Sequence, residues 1–118
     1  MIEESYVSFD TAKMLKEAGF DVPCTSQYTE GKSIWNVGYP YNFNQDEFGY
    51  SRPTQALADR WLREVHHIDV VVDVVNEKEY CCDIYQNKHR KSIAESINPS
   101  FEEVLEDGLK YGLELIKK

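Results

Sequence analysis

The chain lacks the short motifs that announce a known chemistry. It has no glycine-rich phosphate loop, nucleophile elbow, HExxH, CxxC or dinucleotide fingerprint, so none of the enzyme classes that carry them is indicated. No run approaches the roughly 18 apolar residues of a membrane helix, and no charged-then-apolar leader opens the sequence. A soluble protein of the bacterial cytoplasm with no membrane partner is therefore expected. Cysteine is scarce: Cys24, Cys81 and Cys82 form an odd set without framework spacing, which suits a reducing compartment better than secretion. Cations are in the minority. Thirteen Lys and Arg against 21 Asp and Glu leave a net charge of −8, which disfavours direct binding to phosphate backbones.

What remains is ordinary globular material. An apolar fraction of 42% over 118 residues is enough for one domain, 1–118. Folding at this length hides roughly two-thirds of the unfolded surface, so neither metal nor disulfide is needed to hold the core.

Three helices are legible. The first covers about residues 9 to 18, capped by Ser8, with Val7 and Ala12 at hydrophobic-staple positions and Gly19 as its stop. The second runs from a cap at Ser51, with Pro53 in its first turn, to His66 and His67. Its apolar face is Leu57, Ala58, Trp61, Leu62 and Val65. The last begins with a capping box, Ser100 and Glu103, and carries Phe101, Val104, Leu105, Leu109, Leu113 and Ile116 as its stripe. Gly108 and Gly112 share a face of that stripe, where glycine costs about 1 kcal/mol against alanine, so a backbone or a large ring is expected against them.

Between the helices lie two hairpins. Residues 27–29 and 33–36 alternate around Glu30-Gly31. Residues 68–75 and 80–85 alternate more strongly: Ile68, Val70, Val72 and Val74 share one face, and Tyr80, Cys82 and Ile84 share one face of the return. Lys88 to Lys91 reads as a basic loop, and residues 37–50 as an ordered loop rich in aromatic rings. The expected fold is α+β in the order α-ββ-α-ββ-α, with three helices on an antiparallel sheet of about four strands.

The segment Pro53–His66 (PTQALADRWLREVH), with Tyr50 to Arg52 before it, resembles a stretch recurring in small uncharacterised proteins of tailed bacteriophages, prophages and the gut bacteria that carry them. Those proteins also tend to open with a segment like Tyr6 to Cys24 and to close with a helix like Ser100 to Lys118. The resemblance covers the three helices and matches poorly over the middle loop and hairpin. It implies a phage or mobile-element accessory protein and brings no activity, cofactor or catalytic residue with it.

Candidate chemistry is sparse. His66, His67 and Asp69 lack metal-ligand spacing. Asn42, Asn44 and Asp46 alternate as calcium ligands do, but Glu47 stands where the loop needs glycine and Pro53 where it needs a bidentate glutamate. Cys81 and Cys82 have no neighbouring base. No catalytic residue, metal or cofactor is assigned.

Two surface features carry more. Arg60, Arg63 and His67 line the helix face opposite Leu57, Trp61 and Val65, and the loop at Lys88 to Lys91 would extend that cationic stripe if the fold brought it near. Seven of the fifteen aromatics, Tyr28, Trp35, Tyr39, Tyr41, Phe43, Phe48 and Tyr50, fall within 23 residues. Either these rings turn inward as a second small core, or they form an exposed recognition patch. The binding candidates are Tyr39, Tyr41, Phe43, Phe48, Tyr50, Arg60, Arg63 and His67.

The function expected is a non-enzymatic protein-interaction module acting through loop 39–50 and helix 51–66, with an unidentified protein partner. A free hairpin edge would also favour self-pairing into a homodimer. The alternative is an acidic, nucleic-acid-mimicking decoy that sequesters a host DNA-binding protein. A small enzyme or nucleotide binder ranks third.

Overall fold

The computed structural model describes residues 2–117, with residues 92–96 described by backbone alone; Met1 and Lys118 lie outside the described residues. The element order is α1 (Phe9–Glu17), β1 (Cys24–Thr29), β2 (Ile34–Tyr41), a 3₁₀ turn (Phe43–Gln45), β3 (Gly49–Ser51), α2 (Gln55–His66), β4 (Ile68–Asn76), β5 (Glu79–Gln86), β6 (His89–Asn98) and α3 (Phe101–Leu115). The class is α+β with three helices, as the hydrophobic periodicity indicates. The strands form two three-stranded antiparallel sheets, ordered β2-β1-β3 and β4-β5-β6, in place of one sheet of about four.

The two additional strands have identifiable causes. Residues 49–51 are too short to show a period, yet Gln27, Tyr28 and Thr29 pair with Ser51, Tyr50 and Gly49. The expected basic loop at Lys88 to Lys91 is instead the start of β6. Asn87 and Lys88 both take positive φ, 52° and 69°, which makes a two-residue hairpin turn of the kind that matches strand twist. His89 then pairs with Gln86 and Arg90 with Tyr85. The first hairpin forms as expected, but its left-handed residue is Lys32, φ 66°, next to the glycine.

Caps account for the helix ends. Ser8 accepts from the Thr11 amide and Ser100 from the Glu103 amide, as the sequence suggests. At the end of α1 the Gly19 amide donates to the Lys16 carbonyl and the Phe20 amide to the Leu15 carbonyl, with Gly19 at φ 92°. For α2 the cap is Thr54, whose hydroxyl accepts from the Leu57 amide at 3.1 Å; Ser51 belongs to β3 and Pro53 precedes the cap. The inner face of α2 is Gln55, Ala58, Trp61 and Leu62. Val65, expected on that face, is exposed; spacing of three and four from Leu62 offers either Val65 or His66, and His66 turns in against Trp61, ring centroids 4.8 Å apart.

One core runs through both halves of the chain, from Val7, Leu15, Phe20 and Tyr28 to Trp61, Leu62, Ile68, Cys82, Ile84, Val104, Leu109 and Leu113. The helix α3 lies across β4, β5 and β6, and both α1 and α2 pack against it. Gly108 and Gly112 face that sheet: a Cβ on Gly108 would stand 2.5 Å from Val70 Cγ1 and 3.1 Å from Cys82 Sγ. The close neighbours are β-branched side chains and a thiol, where a ring or a backbone was expected. Phe101, expected in the stripe, is exposed and stacks edge-on with Tyr80 at 5.6 Å.

Candidate functional site

The ring-rich segment 34–50 divides into an inward and an outward group, and local bonding decides which ring goes where. Phe43 turns in, 4% exposed, because the Ser51 hydroxyl accepts its amide at 3.1 Å and the 3₁₀ turn swings it under the sheet. Asn44 locks the turn, donating to the Phe20 carbonyl at 2.8 Å and accepting the Ser51 amide at 2.9 Å. Tyr41 is half-buried, stacked edge-on to Phe43 at 5.0 Å with its hydroxyl donating to Asp46. Tyr50 is half-buried against Phe9 at 5.2 Å. Tyr28 is buried and donates to the Val7 carbonyl at 2.6 Å.

Lys16 holds this segment against α1. Its ammonium donates to the carbonyls of Asp46 at 2.6 Å, Glu47 at 3.2 Å and Gly49 at 2.7 Å, and lies 4.7 Å from the Tyr50 ring centroid. Three acceptors match the three donors of an ammonium, so the loop is tied to the scaffold by one side chain.

The outward group is Trp35, Tyr39 and Phe48, 60%, 59% and 60% exposed, with Ile34 beside Trp35. Strand β2 is exposed along most of its length on both faces. Its pairing explains why. Cys24 opposes Tyr41 while Ser26 opposes Asn36, so β2 spends five residues where β1 spends two. The excess bulges at Gly38, φ 86°, and Pro40, a residue that edge strands tolerate because one row of their amides faces solvent. Of the sequence candidates, Tyr39 and Phe48 are therefore at the surface, whereas Tyr41, Phe43 and Tyr50 contribute packing. Trp35 and Ile34 are the additional exposed residues; the glycine and proline within their strand are the signal that marks it as an outer edge.

The cationic candidates are all exposed, but they do not merge into one stripe. Arg60 pairs with Glu64, and Arg63 with Asp59 at 3.4 Å, each within α2. His67 is the left-handed C-cap of α2, φ 56°. The 88–91 segment folds back on its own sheet: Lys88 pairs with Asp69 at 2.9 Å and Arg90 with Asp83 at 3.2 Å. Hydrogen bonding to Glu64 raises the Arg60 pKa, while burial raises that of Asp59 against the lowering influence of Arg63.

The chain matches no protein-family model, no curated protein and no solved structure.

Two of the three cysteines, Cys24 and Cys82, are buried. Burial pushes the Cys24 and Cys82 thiols up to about 11, away from the thiolate that nucleophilic chemistry needs. His66 lines a cavity of about 380 Å³ with Met14, Glu17, Ala18, Leu113, Ile116 and Lys117, and burial, followed by the neighbouring His67, lowers its pKa. Its Nε2 has no hydrogen-bond partner among the described residues. Among those residues no group of three or more His, Cys, Asp or Glu is placed to hold a metal ion, and no helix is long and apolar enough to cross a membrane.

Proposed function

We propose that the chain is a non-enzymatic protein-interaction module, an accessory protein of a bacteriophage or prophage acting in the host cytoplasm, whose rings on β2 and before β3 recognise a protein partner. The observation that carries this reading is the exposure of Trp35 and Tyr39 on a strand that is wet on both faces, next to Ile34. Rings of this kind supply rigid contact area with few torsions to freeze, which is why they dominate binding hot spots. Lys16 and Asn44 support the reading further, because they hold the neighbouring loop in place before any partner arrives. The exposed Arg60, Arg63 and His67 give α2 its share of the contact.

The decoy alternative needs ranks of unpaired carboxylates. Asp59, Glu64, Asp69 and Asp83 are bound to cations, and Glu106 accepts hydrogen bonds from α1 and α2, which reduces the free acidic surface a decoy would present. Affinity capture from a bacterial host lysate tests the two. A partner retained in high salt and lost on Trp35→Ala or Tyr39→Ala, but kept by the surface control Lys13→Ala, is the expected result. A partner released by salt and indifferent to the ring substitutions would replace this reading with the decoy.

A further inference from the structure

The two sheets present four outer strands, and three of them are guarded against pairing with another chain. Strand β2 carries its bulge with Gly38 and Pro40, β3 is three residues long, and β6 slips register twice against β5, between Tyr80 and Cys82 and between Ile84 and Tyr85. Bulges, prolines and shortness are the devices that keep sheet edges from joining. Strand β4 has one register shift, confined to its far end between Val74 and Asn76. It runs from Ile68 to Val74 in unbroken register with β5, has no proline, glycine or lysine, and has no strand on its other side among the described residues.

The phase of the ladder shows what this edge offers. The Asn87 amide donates to the His67 carbonyl at 2.9 Å, one step beyond the Ile68–Gln86 pair in the same register. Bonded and non-bonded pairs alternate in an antiparallel ladder, so Asp69, Val71 and Asp73 bond to β5. Val70, Val72 and Val74 turn their amide and carbonyl groups outward. The Val74 amide agrees with that phase, since it donates to the Asp73 carboxylate at 2.8 Å.

We infer that two copies of the chain join along β4, antiparallel, about a two-fold axis at Val72, to make one continuous six-stranded sheet. The strand is complementary to itself in that register. Val72 meets the partner's Val72, and Val70 meets the partner's Val74, so every outward amide finds an outward carbonyl. No carboxylate stands directly opposite another: Asp73 faces the partner's Val71, and Asp69, already bound to Lys88, lies beyond the Val70–Val74 pair, toward the partner strand's bulge. The exposed Val71, Val74 and Val75 lose water in the process. A two-fold contact of this kind closes on itself and stops at two copies. This inference is independent of the ring surface and stands if that surface has no partner.

Sedimentation or light scattering over a concentration series tests it. The wild-type mass is expected to rise from 13.8 kDa toward twice that value, and added NaCl is expected to tighten the dimer because each copy carries −8. Val74→Pro deletes an outward amide and leaves the β4–β5 ladder whole, so it should weaken association about tenfold or more with an unchanged circular dichroism spectrum. Asp73→Ala frees the Val74 amide and should tighten association several-fold. Amide exchange followed by NMR needs no variant: the Val70 and Val72 amides should become protected as concentration rises, while those of Val71 and Asp73 stay protected throughout. A chain that remains at 13.8 kDa at millimolar concentration and high salt overturns the inference. So does a dimer indifferent to Val74→Pro, or concentration-dependent protection that falls on β2.

Discussion

The Ser8 amide donates to Glu106 Oε2 at 2.9 Å, a hydrogen bond between residues 98 positions apart. In a capping box the glutamate three residues after the cap takes the cap's own amide. Here that position is Thr11, and a carboxylate from α3 takes the role instead. The same oxygen accepts the Thr11 hydroxyl, while Oε1 accepts from Gln55 Nε2 at 2.9 Å; Gln55 also donates to the Glu102 carbonyl at 2.8 Å. Glu106 thus ties the starts of α1 and α2 to α3, and its charge suits the positive end of α1.

Glu106→Ala should therefore cost about 3 kcal/mol of unfolding free energy, since it removes the acceptor of the Ser8 amide, the Thr11 hydroxyl and one Gln55 N–H at once. Glu106→Gln retains an acceptor and should lose about half as much. Urea denaturation measures both. A loss below about 1 kcal/mol for the alanine variant would mean that water replaces the carboxylate without penalty.

Gly108→Ala should destabilise by about 1–2 kcal/mol, because the clash with Val70 outweighs the gain of about 1 kcal/mol in helix propensity. Gly112→Ala meets its nearest atom, Ile68 Cγ2, at 3.1 Å and should be close to neutral. Combining Gly108→Ala with Val70→Ala should cost less than the sum of the two changes, which a double-mutant cycle by thermal denaturation reads directly. An additive result would show that the two sites do not touch.

His66 should make the fold less stable in mild acid. Its pKa is below 6.5 in the folded chain, so the unfolded chain binds the proton more readily, and stability rises with pH. The contribution is complete above 6.5 and is lost as pH falls through 6.5 toward the lower native value. Asp59, raised by burial, acts in the opposite sense. Comparing the wild type with His66→Phe isolates the histidine: the variant's urea midpoint should fall less between pH 7.5 and 5.5 than the wild type's. Parallel midpoints would show that the imidazole titrates as it does in the unfolded chain.

What could be read from the sequence was local. Ser8, Gly19 and Ser100 act within four residues of themselves, and each does what its position suggests. Ser51 misled because its true engagement is with Gln27, 24 positions away across a strand pair, leaving Thr54 to cap α2. The β5–β6 turn leaves little mark in the sequence, because Lys88 fills a position where glycine is the usual sign. Composition showed the rings gathered in one stretch of chain. It could not say which face inward, since that depends on a bulge at Gly38 and on side-chain bonds from Asn44 and Lys16, made across 24 and 33 positions.

The placement of α3 after β6 has a consequence for how the protein is made. Hairpins with two-residue turns close early, because each joins neighbours in the chain, whereas the cover over Ile68, Cys82 and Ile84 belongs to the helix that is synthesised later. During translation the inner face of the sheet, met on β4 by α2, therefore stays partly open until that helix emerges.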